Sequence, residues 1–400
     1  MQTRQHPSRA SNTSAGVAER YEPAAGLLGW AVDHALPFWA TAGFDRDRGR
    51  FDERLTLDGE RLPDVPIRLI TQARQIHAYA LAARRGWYSG SVSMVERAYA
   101  SMVHDYHRRD GQGGWVFSIG RDGAVIDARR DLYSHAFALL AVAAYAEATG
   151  RHEALDLADE TLAFLDRDMA AAEGGGFVEQ VPPSDGPRRQ NPHMHLFEAL
   201  LFLWDCSRDQ RYLERARKLF ELFATRFFHA DAGVLGEYFT ATLEPADGVA
   251  GRIVEPGHHH EWVWLLRRFE QASGQPVQRY VDALYGHADR YGFDRIGMVV
   301  GELLIDGTPR PGVRRIWPIA EAIRSNVVEA RLGRAGAPGK VAALTALLRE
   351  RFLGGRPPGG WLDRLDHNGK CVNEFIPAST LYHLVGAIDE VSQMPGDKGR

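Results

Sequence analysis

The sequence predicts an all-α fold, an (α/α)6 barrel or toroid with short β-hairpins at one end. Three observations lead there. Six Asp-Gly or Asn-Gly pairs recur at nearly even spacing: Asp58-Gly59, Asp122-Gly123, Asp185-Gly186, Asp247-Gly248, Asp306-Gly307 and Asn368-Gly369. A fixed period of roughly 60 residues marks an array of one supersecondary unit. An apolar helical segment follows each pair, and a second, amphipathic one precedes the next pair. Six helices apolar on most sides, sheathed by six amphipathic ones, describe a closed double ring.

The turn pairs come first in each unit. Asp-Gly and Asn-Gly favour the tight turn of a β-hairpin in which both central residues reach positive φ. Most follow a glycine- or aromatic-rich stretch, such as Gly114-Trp115-Val116-Phe117 or Leu235-Gly236-Glu237-Tyr238-Phe239. Asp110-Gly111 is out of register and reads as an ordinary turn. The inner helices are expected near Ile67–Ala83, Leu132–Ala148, Pro192–Trp204, His258–Phe269, Trp317–Ala330 and Ala378–Val391. Pro66, Pro192, Pro256, Pro318 and Pro377 stand at or just before five of these starts, where the missing N–H is not needed. The outer helices are expected near Ala24–Trp39, Val92–His107, His152–Asp168, Arg211–Phe228, Val277–Tyr291 and Val341–Phe352, each charged on one face and apolar on the other.

The repeat argues for a single catalytic domain over residues 21–395 of the 400, preceded by a disordered leader at 1–20. The leader has no apolar run, which excludes a secretory signal; its Arg and Ser content is also compatible with a transit peptide. A frayed tail is expected at Met394–Arg400. Hydrophobic content of 44% supports a large core, and a net charge of −4 gives no electrostatic reason to expect nucleic acid or an anionic membrane as partner. No stretch approaches the roughly 18 apolar residues of a membrane span. Cys206 and Cys371 are too few for a disulfide framework and lack metal-type spacing, so they read as buried thiols in a reducing, cytoplasmic setting.

Each hairpin leads into an inner helix, so all six helix N-termini open at one end of the barrel. Polar residues in those first turns cannot be solvated surface. The candidates are Arg74, Tyr133 with His135, Asn191 with His193 and His195, His258 with Glu261, Trp317 with Glu321, and Tyr382 with His383. Arg74 and His383 lie about two turns in. His195 and Glu198, like His258 and Glu261, are three apart and share a helix face. A carboxylate beside an imidazole orients its tautomer and raises its basicity. The bland alternative is a core histidine satisfied by a structural Glu; two such pairs at equivalent positions, with His383 as a third histidine, favour function. The run His258-His259-His260 cannot bind one ion, because neighbouring helical residues point about 100° apart. A metal held between helices by His195, His258 and His383 stays open as an alternative. Gly174-Gly175-Gly176 lacks a P-loop lysine and precedes no helix. Trp115, Phe117, Tyr133, Tyr238, Phe239, Trp317 and Trp361 could offer flat apolar faces at the mouth, as a sugar requires, with Trp317 and Trp361 the most available.

These residues carry a resemblance. Arg189-Gln190-Asn191-Pro192-His193-Met194-His195-Leu196-Phe197-Glu198-Ala199 is similar to a signature of the N-acylglucosamine 2-epimerase family. So are Glu255-Pro256-Gly257-His258-His259-His260-Glu261-Trp262, Trp317-Pro318-Ile319-Ala320-Glu321-Ala322 and Leu381-Tyr382-His383. The resemblance spans nearly the whole chain and implies the same (α/α)6 barrel. It implies an enzyme that opens a sugar ring and removes the C2 proton to form a cis-enediolate. Reprotonation at C1 gives a ketose, and reprotonation at C2 from the other face gives an epimer. The resemblance makes His258 and His383 the acid–base pair, with Glu261 orienting His258. Arg74 and His195 would bind the O1/O2 region, and Arg252 could assist. Asn191, Tyr133, His135, Trp317, Glu321 and Trp361 complete the expected binding set. No metal or organic cofactor is implied. A single Trp in Arg314-Arg315-Ile316-Trp317-Pro318 resembles the mannose isomerase branch.

The expected reaction is therefore interconversion of free D-mannose and D-fructose by a monomer or homodimer, with a 2-epimerase of the N-acylglucosamine or cellobiose type as the alternative. The unphosphorylated sugar is favoured because no phosphate cradle or basic cluster is visible in the motifs. Arg188-Arg189 is the one feature that could bind an anionic group at C6. A glycoside hydrolase on the same barrel would need two carboxylates flanking the bond, with Asp131, Glu179, Glu237 and Glu302 as candidates. A non-catalytic sugar-binding barrel would need no paired acid–base histidines.

Overall fold

The computed structural model describes residues 22–355 and 357–395. The expected leader and most of the expected tail lie outside them. Among the described residues, twelve helices alternate between two concentric rings. The outer ring comprises α1 (22–41), α3 (Ser91–Tyr106), α5 (155–169), α7 (210–227), α9 (Gln278–Tyr291) and α11 (337–353). The inner ring comprises α2 (Leu69–Arg85), α4 (Leu132–Thr149), α6 (Gln190–Ser207), α8 (Pro256–Ser273), α10 (Trp317–Arg331) and α12 (Leu381–Ser392). Each inner helix packs on the next, and α12 returns to pack on α2, which closes the barrel. Among the described residues, no helix is long and apolar enough to cross a membrane.

The helices follow from their side chains. Helix α4 is buried on every side from Ala136 to Ala146, as a helix enclosed by neighbours must be. Helix α7 buries Tyr212, Leu213, Ala216, Leu219 and Phe220 at helical spacing and turns its charges outward. Four outer helices contain a π-turn, at Ala31–Ala35 within α1 and at the C-terminal ends of three others, Leu165–Met169, Phe223–Phe227 and Arg349–Leu353.

Four of the six expected tight turns form, with a different geometry. In four units only the glycine has positive φ: +86° at Gly59, +86° at Gly123, +84° at Gly307 and +80° at Gly369. Gly59 N–H donates to the Thr56 carbonyl at 3.0 Å, and Thr56 N–H donates to the Glu60 carbonyl at 2.8 Å. This is a type I turn closed by a single left-handed residue, which needs one positive φ instead of two. In the fourth unit the equivalent turn is Thr240–Leu243, and Asp247-Gly248 falls in the loop beyond it. Leu243 holds the left-handed place at φ +61°. That conformation costs a branched residue roughly 1–2 kcal/mol, offset by burying its side chain to 1% exposure. In the third unit Asp185-Gly186 makes no such turn; Gly186 lacks a positive φ.

The short strands pair between units. Each strand ahead of an inner helix joins the next unit's strand: Ile67 with Ile119, Arg130 with Val181, Arg188 with Phe239, Ile253 with Leu304, and Arg314 with Leu365. Pro377 pairs with Arg54 and completes the circle. Six antiparallel ladders thus lace one rim of the barrel, the rim where the inner helices begin.

Candidate active site

Three histidines in the first turns of inner helices hold that rim together. His135 Nε2 accepts from Trp115 N–H at 3.1 Å, and its Nδ1 contacts the Asp131 carbonyl at 2.8 Å. His193 repeats the arrangement with Phe177 N–H at 3.0 Å and the Arg189 carbonyl at 3.2 Å. His259 Nε2 accepts from Leu235 N–H at 3.1 Å. Burial holds all three neutral, pushing His135 down to about 4 and His193 to about 3. His135, expected to touch substrate, instead has both ring nitrogens committed to backbone.

One turn deeper, each inner helix contributes one side chain to a ring: Arg74, Phe137, His195, Glu261, Glu321 and His383. Five of these stand six residues beyond the preceding strand, and Glu261 stands seven. Arg74 donates to Tyr133 Oη at 2.7 Å and lies 4.2 Å over the Phe137 ring. Phe137 packs at 4.5 Å on His195. His195 Nδ1 meets Glu198 Oε2 at 3.0 Å, while its Nε2 lies 3.8 Å from Glu261 Oε1. His383 Nδ1 meets Glu321 Oε1 at 2.7 Å, and Glu321 also accepts from Arg324 at 2.9 Å. A carboxylate at Nδ1 fixes the tautomer that leaves the Nε2 lone pair free.

His258 sits above this layer, in the first turn of α8. Its Nδ1 lies 3.0 Å from Glu237 Oε1 and 3.7 Å from Glu255 Oε2. Gln190 holds the other Glu237 oxygen at 3.1 Å and is itself anchored by Trp262 Nε1 at 2.8 Å. Trp317 joins the two halves of the site, with ring centroids 5.1 Å from His258 and 5.6 Å from His383.

The charges on the two histidines diverge. Burial disfavours the His258 imidazolium, but Glu237 and Glu255 outweigh it and push its pKa up to about 10. Burial and the charges of Arg74 and Arg324 hold His383 well below the usual histidine range. His195 is held at about 4, chiefly by burial. Burial opposes the Glu198 charge too, yet the His195 bond and Arg324 bring it down to about 2. Glu261 is pushed well up by burial and by the nearby Glu321 and Glu198. The site therefore presents one charged imidazole and one neutral imidazole beside the same indole. Titratable groups driven apart in this way are suited to acid and base roles.

Several expected site residues lie elsewhere. Glu261 does not orient His258; its carboxylate faces His195, and Glu237 takes that place. Trp361 is buried to 1% exposure, stacked 5.2 Å from Trp39 and edge-on to Trp30, so it belongs to the core. Removing such a ring costs about 3–5 kcal/mol. Arg252 pairs at 3.4 Å with Asp306, with more than half of its side chain exposed. Arg188 donates to the Glu173, Gly175, Phe177 and Ala241 carbonyls and is spent there, while Arg189 pairs through Nε with Glu179 at 2.8 Å and keeps 43% of its side chain exposed. Asn191 is half-buried, and its Oδ1 has no partner.

Glu237 was visible only as a hydrolase candidate. A stronger signal was available. The residue ahead of the second strand of each ladder is Glu53, Phe117, Glu179, Glu237, Glu302 or Asp363, five carboxylates in six units. Most are already engaged: Glu53 holds Arg68 and Thr71, Glu179 holds Arg189, and Asp363 accepts from Thr380.

A cavity of about 460 Å3 opens at the laced rim, lined by Arg74 and Tyr133 together with Arg54, Arg68, Arg315 and Thr380. Two larger grooves, of about 990 and 840 Å3, lie between α5 and α7 and at the opposite end of the barrel, away from the ring of polar side chains. Among the described residues, three sets of donors lie within 4.8 Å of one another: His195, Glu198 and Glu261; Glu237, Glu255 and His258; Glu261, Glu321 and His383. Each could hold a cation by donor type, although the histidines already use Nδ1 on a carboxylate.

Comparison with known proteins adds to this picture. Residues 49–387 match the family model described as N-acylglucosamine 2-epimerase. The chain is 35% identical over 380 residues to a protein of Rhizobium meliloti (strain 1021) named mannose-6-phosphate isomerase, covering 91% of this chain and 95% of that one. It is 30% identical over 291 residues to a D-mannose isomerase of Thermobifida fusca, covering 68% and 70%. Cellobiose 2-epimerase from Bacillus thermoamylovorans B4167 shares the fold, with a TM-score of 0.82 at 19% identity over 92% of this chain and 98% of that chain.

Proposed function

The chain belongs to the N-acylglucosamine 2-epimerase family, and from that premise we propose that it is an aldose–ketose isomerase interconverting a D-mannose-type aldose and its D-fructose-type ketose. It is an enzyme of the sugar isomerase or epimerase type. The observation that carries the finer reading is that His258 and His383 both lie against Trp317 in opposite charge states. The indole supports the C–H face of the open-chain sugar. Neutral His383 takes the C2 proton at Nε2. The C2–H electron pair becomes the C1=C2 bond, and the carbonyl pair moves to O1. The His258 imidazolium and Arg74 meet that developing negative charge, as a preorganised oxyanion site does. The His258 imidazolium relays the O2 proton to O1, and His383 returns its proton to C1, which gives the ketose and restores both rings.

The mannose skeleton is supported by the names of the R. meliloti and T. fusca relatives, which differ on whether the sugar carries phosphate. A cytoplasmic setting, drawn from the free thiols of Cys206 and Cys371, belongs to the same proposal. The second reading is a 2-epimerase, favoured by the presence of two histidines beside one ring, since C2 inversion needs proton exchange on both faces. Incubation in D2O with mannose, mannose 6-phosphate, N-acetylglucosamine and cellobiose, followed by NMR, tests both. Deuterium at C1 of a ketose supports the isomerase. A deuterated C2 epimer as the main product shifts the assignment to the epimerase, and no exchange with any sugar removes both.

A further inference from the structure

The cavity at the laced rim holds more cations than its own carboxylates can neutralise. Arg54, Arg68, Arg74, Arg315 and Arg364 line it, against Glu53 and Asp363, which leaves a formal excess of three positive charges. The pairing within it is uneven. Glu53 is spent on Arg68 and Thr71. Asp363 accepts from Thr380 and lies 3.5 Å from Arg364. Arg54 packs its guanidinium 4.2 Å over Phe375, and its Nε has no hydrogen-bond partner. The Arg315 side chain forms no ion pair or hydrogen bond among the described residues, and its guanidinium lies 5.9 Å from the Trp317 ring. Arg315 and Arg364 are exposed at the edge of the cavity, where an incoming anion reaches them. The planar fork of arginine suits phosphate oxygens.

We propose that this cavity is a phosphate subsite, in which Arg54, Arg315 and Arg364 bind the ester phosphate of a hexose 6-phosphate. The inference rests on the isomerase reading for which carbon carries the phosphate. An enediolate enzyme needs a free carbonyl at C1 and a free hydroxyl at C2, so the anionic group belongs at the far end of the chain. Trp317 supplies the spatial link, since it neighbours His258, His383 and Arg315 at once. A sugar with C1 and C2 beside the two histidines and its remaining carbons along the indole points C6 toward Arg315. No basic cluster was visible in the motifs because these arginines are scattered over more than 300 residues of sequence, and strand pairing between Pro377 and Arg54 and between Arg314 and Leu365 brings them to one rim.

The test compares kcat/KM for mannose 6-phosphate and mannose in the native protein and in Arg315→Met and Arg364→Met, with inorganic phosphate as a competitor. The native protein is expected to favour the phosphorylated sugar by more than tenfold. Each variant should lower that ratio at least tenfold and weaken inhibition by phosphate. A native preference for mannose, or a ratio unchanged in both variants, overturns the subsite. A 6-sulfonated hexose preferred over the phosphate ester overturns the phosphate assignment. Calorimetric titration with mannose 6-phosphate reads binding without turnover. If neither sugar exchanges hydrogen in D2O, the isomerase reading falls, and the subsite stands or falls on whether the variants lose at least tenfold in this affinity.

Discussion

His258 Nδ1 lies 3.0 Å from Glu237 Oε1, a contact that ties the first turn of α8 to the strand segment at the mouth. The carboxylate both aims the ring and holds its charge. Because the folded pKa is raised to about 10, the interaction stabilises the fold fully below the ordinary histidine value of about 6.5 and is lost as pH rises through about 10. Glu237→Gln keeps the hydrogen-bonding shape and removes the charge. The alkaline limb of kcat should move toward neutral pH by about one unit or more. An unchanged alkaline limb, measured from pH 6 to 10.5, would remove Glu237 from the positioning of His258.

His258→Ala and His383→Ala should each cost about 10²–10⁴-fold in turnover, the usual range for a positioned proton-transfer group. The loss should fall on kcat more than on KM, because Arg74, Tyr133 and Trp317 remain to bind the sugar. Near-native turnover in either variant, with helical circular dichroism unchanged, would sink the pairing of these two histidines.

Gly257 lets Trp317 lie against the start of α8. A Cβ added there would stand 2.5 Å from the indole and 3.0 Å from Pro318. Alanine itself favours the helix, so Gly257→Ala should fold. It should displace the ring that touches both histidines and lower kcat/KM roughly tenfold, about 1.4 kcal/mol of transition-state binding. Tryptophan fluorescence reports the movement and steady-state kinetics the cost. Native kinetics would show that the indole is not part of the substrate platform.

Chelation should leave activity intact. The three clustered donor sets offer metal-type ligands, but the proposed proton transfer between His383 and the sugar needs none, and in that proposal Arg74 with the His258 imidazolium meets the O1 charge. Loss of activity after prolonged EDTA treatment, restored by one divalent ion, would put a cation in the proposed mechanism.

The barrel was legible because its signals are local and repeated. Helical periodicity and proline at helix starts survive in a single chain read in order. The site was legible where it lies on those same helices: Arg74, His195, Glu321 and His383 stand at one offset from the strands. What sequence order hid is contact across units. Glu237 reaches His258 from 21 residues away. Trp361 has the same composition signal as Trp317, yet it stacks on Trp39 from the far end of the chain. His135, His193, His258 and His259 all lie in first turns, and only the hairpin N–H groups show that His259 is the third pin and that the neighbouring His258 is left for the site. The turn pairs misled for a related reason: Leu243 holds a left-handed place that no turn propensity assigns to leucine.

Those pinning histidines make acid stability measurable. His135 and His193 are fully buried, neutral, and held at about 4 and about 3, chiefly by burial. A histidine whose folded pKa lies below its unfolded value contributes its full stability above about pH 6.5. It loses that contribution as pH falls toward the folded value, because the unfolded chain takes up a proton the native one refuses. Each should therefore cost about 1.4 kcal/mol per pH unit between about pH 6 and 4. The carboxylate contributions of the rest of the chain are common to native protein and variant. His135→Gln keeps an acceptor for Trp115 N–H and cannot titrate. It should be less stable at pH 7.5, through poorer packing against Phe164, which stacks on the His135 ring at 5.2 Å. Its stability should nevertheless fall less steeply with acid, by close to one proton in the linkage slope. Urea unfolding of both proteins at half-unit steps from pH 7.5 to 4.5 gives the two slopes. Parallel slopes would mean that His135 is protonated in the native rim and does not act as a neutral pin.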